Sequence, residues 1–182
     1  MRAIVFAAAL LLIGCSSGSS ETSPNASPSA APSSNASTRP CPVTSPNGLT
    51  PPGEAPDELY FGNGRLWTVL WPGGLVLVPP DDIGPNGSLG MKFPWWRGPA
   101  IHGHLHIRGH ELSIGVPVRA NARGYGDTGF NASGIVFPVE GCYRIHGEAD
   151  GAVLSFVTMV RSCSVLAELS PSQRRDYSIC DS

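Results

Sequence analysis

The sequence predicts an all-β domain, a two-sheet sandwich or a barrel, and three observations lead there. Apolar residues after Cys41 recur with period two rather than 3.6. Gly or Pro punctuates them every eight to twelve residues, and three pairs of such runs meet at turn-forming residues.

Taken in order along the chain, the first element is an address. Met1-Arg2 is followed by eleven uncharged residues from Ala3 to Ile13 and then by Gly14-Cys15. That is a charged start, a short apolar run and a small residue before a cleavage point, the layout of an export signal. A bilayer-spanning helix needs about 20 apolar residues, so the run is too short to stay as a span. Leu12-Ile13-Gly14-Cys15 resembles the lipobox of bacterial lipoproteins. The resemblance implies that residues 1–14 are a signal peptide and that the mature chain starts at Cys15 with a diacylglyceryl thioether on its sulfur. It also implies a chain held to the outer side of the cell membrane by that lipid.

Residues 16–40 hold ten Ser, four Pro and no aromatic side chain, and alanine is their only apolar type. Such a stretch buries too little apolar surface to offset its chain entropy, so 15–40 reads as a lipidated cysteine followed by a disordered tether. As a flexible coil it would span on the order of 30 Å.

The remaining 142 residues suffice for one domain, with the β structure expected over 41–161 and a tail over 162–182. Ten basic against thirteen acidic side chains give no basic footprint for nucleic acid. The first expected hairpin joins 66–71 to 75–79 through Pro72-Gly73-Gly74, with Trp67 and Trp71 sharing a core face. The second turns at Gly109-His110 and pairs Ile107 with Leu112, Leu105 with Ile114, Gly103 with Val116 and Ile101 with Val118, which gathers the apolar residues on one face. The third joins 142–148 to 152–160 through Asp150-Gly151, a type I′ signal. It pairs Ile145 with Phe156 and Gly147 with Leu154.

Gly141-Cys142-Tyr143, at the start of that hairpin, resembles the tyrosine corner of immunoglobulin-like sandwiches, which implies an antiparallel sandwich of that type. Antibody-type domains place a cysteine two residues after the tyrosine; here Ile145 holds that place, so the central inter-sheet disulfide is not expected and the Cys142 bond should lie on an outer face or edge. Setting Cys15 aside leaves Cys41, Cys142, Cys163 and Cys180, an even set for two disulfides with three pairings open. The short loop between Cys163 and Cys180 favours that bond, which leaves Cys41 for Cys142. Inside the loop, Ser170-Pro171-Ser172-Gln173 has the form of a capping box, so a short helix is expected there.

Cys41-Pro-Val-Thr, Lys92-Phe-Pro-Trp-Trp-Arg97, Gly124-Tyr-Gly-Asp127 and Gly141-Cys-Tyr143 together resemble a set of uncharacterised lipoproteins from high-GC bacteria, over 41–161. That set implies export and a β domain, and carries no established activity.

Three groups of residues are candidates for chemistry. His102, His104 and His106 alternate on one strand and share a face, with His110 at the adjoining turn. Imidazoles at i and i+2 can share one zinc or copper ion at about 2.0–2.1 Å, whereas i and i+4 lie ~13 Å apart and need ligands from another strand. The commoner use of such a row is a solvated polar face. Trp95 and Trp96 point to opposite faces, so one of them should lie outside the core; beside Arg97 it could stack on a sugar ring or anchor a protein partner. Asp57-Glu58, Asp81-Asp82 and Asp127 are loop carboxylates, more often solvated than bound to calcium. There is no Gly-x-Ser-x-Gly, no second His after His110-Glu111 and no Cys-x-x-Cys. The expectation is a membrane-anchored, non-catalytic binding or envelope-structure module, against two rivals: a zinc- or copper-binding protein using the strand histidines, and an enzyme of unrecognised type.

Overall fold

A computed structural model describes residues 40–181. The expected signal peptide, Cys15 and the expected tether up to residue 39 lie outside the described residues. Nine strands run in chain order: β1 (Tyr60–Gly62), β2 (Leu66–Val69), β3 (Leu75–Val78), β4 (Leu89–Arg97), β5 (His106–Glu111), β6 (Arg119–Asn121), β7 (Gly129–Phe137), β8 (Gly141–Ala149) and β9 (Ala152–Ser162). They form a five-stranded sheet in the order β1-β2-β4-β7-β6 and a four-stranded sheet in the order β3-β9-β8-β5. The sheets pack face to face as a sandwich. Period-two alternation supplies the core: Leu89, Met91, Phe93 and Trp95 of β4 turn inward against Ile135 and Phe137 of β7, and meet Tyr143, Ile145, Leu154 and Phe156 from the other sheet. Phe93 stacks on Phe156 at 5.9 Å, and Trp95 lies against the same ring.

The third hairpin forms in the expected register, with Ile145 opposite Phe156 and Gly147 opposite Leu154. Asp150 and Gly151 both take positive φ, 46° and 69°, as a type I′ turn requires. Gly147 has a second function, because a Cβ there would come within 2.4 Å of the Trp95 ring. At the foot of β8 the Tyr143 hydroxyl donates to the Val139 carbonyl at 2.7 Å, which is the corner geometry.

The other two hairpins are corrected. Residues 66–71 and 75–79 do not fold back on each other: Pro72–Gly74 forms a 3-10 turn that carries the chain from one sheet to the other, where β3 pairs in parallel with β9, an exception to the antiparallel pattern. The run Leu75-Val-Leu-Val78 is apolar on both faces and is covered on both, Val76 and Val78 by the main core and Leu77 by Val165 and Tyr177 of the tail. Gly74 fits the crossing because a Cβ would strike Val43 at 2.5 Å. Trp67 and Trp71 are consequently split: Trp67 packs outside the main core with Tyr60 and Trp96, and Trp71 lies on Phe93 at 4.6 Å.

In the second hairpin the turn lies at 112–114 instead of Gly109-His110. Residues 101–105 are not strand, the pairs from Leu105–Ile114 to Ile101–Val118 do not form, and Ile114 is 70% exposed. Gly109 lies within a strand because a Cβ would come within 2.6 Å of the Arg144 carbonyl and the Ile145 side chain. Turn formation belongs to Glu111, a buried carboxylate whose Oε2 accepts from Ser113 N at 2.6 Å and Ile114 N at 2.8 Å. Its Oε1 accepts from Cys142 N at 3.3 Å.

Cys41 is bonded to Cys142, and Cys163 to Cys180. Cys142 alternates with the buried Tyr143, so its bond lies on the outer face of the four-stranded sheet. Helix α1 (Pro171–Arg174) carries the capping box at Ser170 and Gln173. Far from being an appendage, the tail covers β3: Tyr177 is 3% exposed, packs with Val165 on Leu77, and sets its hydroxyl 2.8 Å from the Pro72 carbonyl and 2.9 Å from that of Leu75. Burial, together with Asp176, pushes that phenol up to about 12.

Candidate functional sites on the two outer faces

The segment Trp95-Trp96-Arg97 ends β4 and divides three ways. Trp95 is fully buried in the core, so it is not a ligand contact. Arg97 is also corrected: it is 3% exposed, and its guanidinium donates to the carbonyls of Gly103, Asp127 (2.8 Å), Gly126 (2.5 Å) and Thr128 (3.4 Å). A buried cation whose two terminal nitrogens donate to backbone oxygens is a clamp, and it ties the loop before β5 to the loop before β7, while its Nε is buried without a partner. Burial lowers its pKa and nearby Asp127 acts in the opposite direction.

Trp96 is on the outer face of the five-stranded sheet. Its Nε1 donates to Glu54 Oε1 at 2.9 Å, and Tyr60 and Phe130 meet its ring edge-on at 5.3 and 5.4 Å. Phe130 in turn meets Tyr125 at 5.8 Å. Tyr60, Trp67 and Trp96 are buried beneath neighbouring side chains, whereas Phe130 is 47% and Tyr125 43% exposed. An aromatic row therefore starts under cover and comes out into solvent on a loop that the Arg97 clamp holds. That one of Trp95 and Trp96 leaves the core was legible, though not which; Phe130 and Tyr125 were missed, because an exposed aromatic and a buried one have the same period-two pattern.

The histidines alternate with buried Ile101 and Leu105, but the expectation that all three share one face of one strand is corrected: residues 101–105 are not strand, and of the three only His106 belongs to β5. His102 Nδ1 lies 2.7 Å from Asp127 Oδ2, while Asp127 Oδ1 accepts from Gly103 N at 2.7 Å. These bonds, that from Gly103 first, hold the Asp127 carboxyl below its ordinary value. His104 and His106 lie apart from it, lining a groove of about 560 Å³ together with Leu105, Ile107, Asn121 and Arg123. Among the described residues, no three His, Cys, Asp or Glu side chains come together as a metal-ligand set.

Comparison with known protein families, curated proteins and solved structures finds no match to this chain.

Proposed function

We propose that this chain is a membrane-anchored lipoprotein whose β-sandwich is a non-catalytic binding module on the outer side of the cell membrane, held by a lipid on Cys15. The observation that carries the binding reading is the exposed pair Tyr125 and Phe130 at the end of the aromatic row. Exposed aromatics set on a rigid base are the side chains that dominate recognition of protein and carbohydrate partners. Rigidity comes from Arg97, whose bonds to three carbonyls of the loop 126–128 fix the segment that displays Tyr125.

An immunoglobulin-like topology is part of the proposal. The neighbours β2-β4-β7-β6 correspond to the A-B-E-D order of those sandwiches and β9-β8-β5 to G-F-C, with the tyrosine corner on the strand equivalent to F. The resemblance to lipoproteins of high-GC bacteria supports the same compartment, as do two disulfides, which persist in oxidising surroundings.

A photocrosslinking side chain tests the binding surface. Placed at position 125 or 130 in intact envelopes, it should give a discrete adduct that the same probe at exposed Glu168 in the tail does not give. The same pattern from all three positions would contradict the assignment of the face.

A further inference from the structure

The two sheets part between β5 and β6, and the groove that opens there is walled by two unbroken runs, residues 104–107 on one side and 120–123 on the other. Successive residues of an extended chain point to opposite faces, so a wall of consecutive residues is a backbone edge rather than a side-chain face. Leu105, Ile107 and Ala122 pack with the main core, while His104, His106, Asn121 and Arg123 alternate with them and are exposed. The edge of β5 is free along this groove. Backbone groups alternate in direction along a strand. Leu112 N donates to Cys142 O of β8 at 2.8 Å. Gly109 and Glu111, of the other parity, turn away from β8: Gly109 O accepts from Val118 N at 3.0 Å, and Glu111 N donates to Val116 O at 2.9 Å. Ile107 has the parity of Gly109, so its N–H and C=O also face away from β8, and among the described residues β8 is the one strand that pairs with β5. After Val118 the chain leaves for β6, which pairs with β7 in the other sheet. An unpaired edge beside exposed apolar side chains is a template for one more strand.

Charge in the lining selects what that strand carries. Among the described residues no carboxylate lines the groove, and Arg123 forms no salt bridge. Asp127 and Glu148, which adjoin the 104–107 wall, are already engaged. Asp127 is bonded to His102 and to Gly103 N, at 2.7 Å each, and Glu148, opposite His106, is held by Arg108 at 3.0 Å. We infer that the groove between β5 and β6 binds an extended acidic peptide. The peptide adds as a strand to the free edge of β5, sets alternate apolar side chains against Leu105 and Ile107, and offers the carboxylates between them to Arg123, His104 and His106. Main-chain bonds to Ile107 supply affinity, and the basic lining supplies the preference for acidic side chains. Each wall of four residues matches ~13 Å of extended chain. This second site uses no residue of the aromatic row and does not depend on a lipid at Cys15, so its failure and that of the proposed function are separate outcomes.

The test titrates the isotope-labelled chain from residue 15 onward, carrying Cys15→Ser and retaining every described element, with short blocked peptides followed by NMR. The probes are acetyl-Glu-Val-Glu-Val-Glu-amide, its counterpart with Lys in place of Glu, and two versions of the first that are N-methylated at the valines or at the glutamates. The expected result is saturable binding of the acidic peptide, with shifts confined to the 104–107 and 120–123 walls and slowed exchange of the Ile107 amide proton. The lysine peptide should bind more weakly. An added strand uses one of its own edges against β5, so at least one N-methylated version should lose binding. Arg123→Gln, at an exposed side chain whose loss leaves the fold intact, should weaken the acidic peptide about fivefold, the equivalent of ~1 kcal/mol for an exposed ion pair. Several outcomes would overturn the inference: no saturable shift, equal binding of the lysine peptide, binding retained by both N-methylated versions, or shifts centred on Tyr125 and Phe130. The same shifts from acetylglutamate amide alone would also overturn it, since they would mean a carboxylate site without strand addition.

Discussion

The Glu111 carboxylate sits 2.8 Å from the Ile114 backbone nitrogen, and that bond, with those from Ser113 and Cys142, makes one buried side chain the link between the 112–114 turn and the start of β8. Burial by itself would raise the Glu111 pKa; the three backbone N–H groups outweigh it and hold it below the ordinary value of 4.5. A group with a depressed folded pKa adds stability that is fully present above its unfolded pKa and is lost as pH falls through the folded one. Stability should therefore decline below about pH 4.5, and Glu111→Gln should flatten that decline while costing about 1–3 kcal/mol at neutral pH. Denaturant midpoints measured from pH 7 to pH 3 check this; parallel curves for the two proteins would contradict the clamp.

Tyr143→Phe retains the ring packed on Phe137 at 4.8 Å and removes the hydroxyl that donates to Val139. Leaving that carbonyl without its donor should cost about 1–3 kcal/mol. An unchanged urea midpoint would mean that the corner bond contributes nothing, and would weaken the immunoglobulin-like reading.

Gly147→Ala places a methyl against the Trp95 ring and should destabilise by about 1–3 kcal/mol through overpacking. Replacing Trp95 by Phe in the same chain should recover part of the loss, since the smaller ring leaves the space. Additive costs in the double-mutant cycle would contradict the contact.

Arg97→Gln removes a clamp with four carbonyl partners and should make the loops at 98–105 and 123–128 susceptible to protease before the rest of the domain unfolds. Cleavage at unchanged rates would show that the loops hold without it.

What could be read from the sequence follows how local each determinant is. Asp150-Gly151 encodes its turn in two adjacent residues, so the β8–β9 hairpin was legible down to its register. Gly73-Gly74 and Gly109 were equally visible as glycines, but their purpose depends on residues far along the chain: Val43 beside Gly74, and Ile145 beside Gly109. A glycine that makes room for a neighbour looks the same in sequence as one that makes a turn, and both misplaced hairpins came from that ambiguity. His102 and His104 stay outward without a strand because Ile101 and Leu105 are drawn into the core regardless of backbone pairing, but without strand geometry the three histidines do not share one face. The Arg97 clamp depends on which loops become neighbours, and no local pattern reports that.

The central claim is that the domain is held to a membrane through Cys15. Its most direct measurement is the intact mass of the detergent-extracted protein together with its N-terminal peptide. The account predicts a chain that begins at Cys15 and carries a diacylglyceryl group on that sulfur, and a Cys15→Ser variant that leaves membranes in a high-salt wash with its β domain still folded. An unmodified Cys15 in the mature protein, or a Cys15→Ser variant that stays with membranes after the wash, would contradict it.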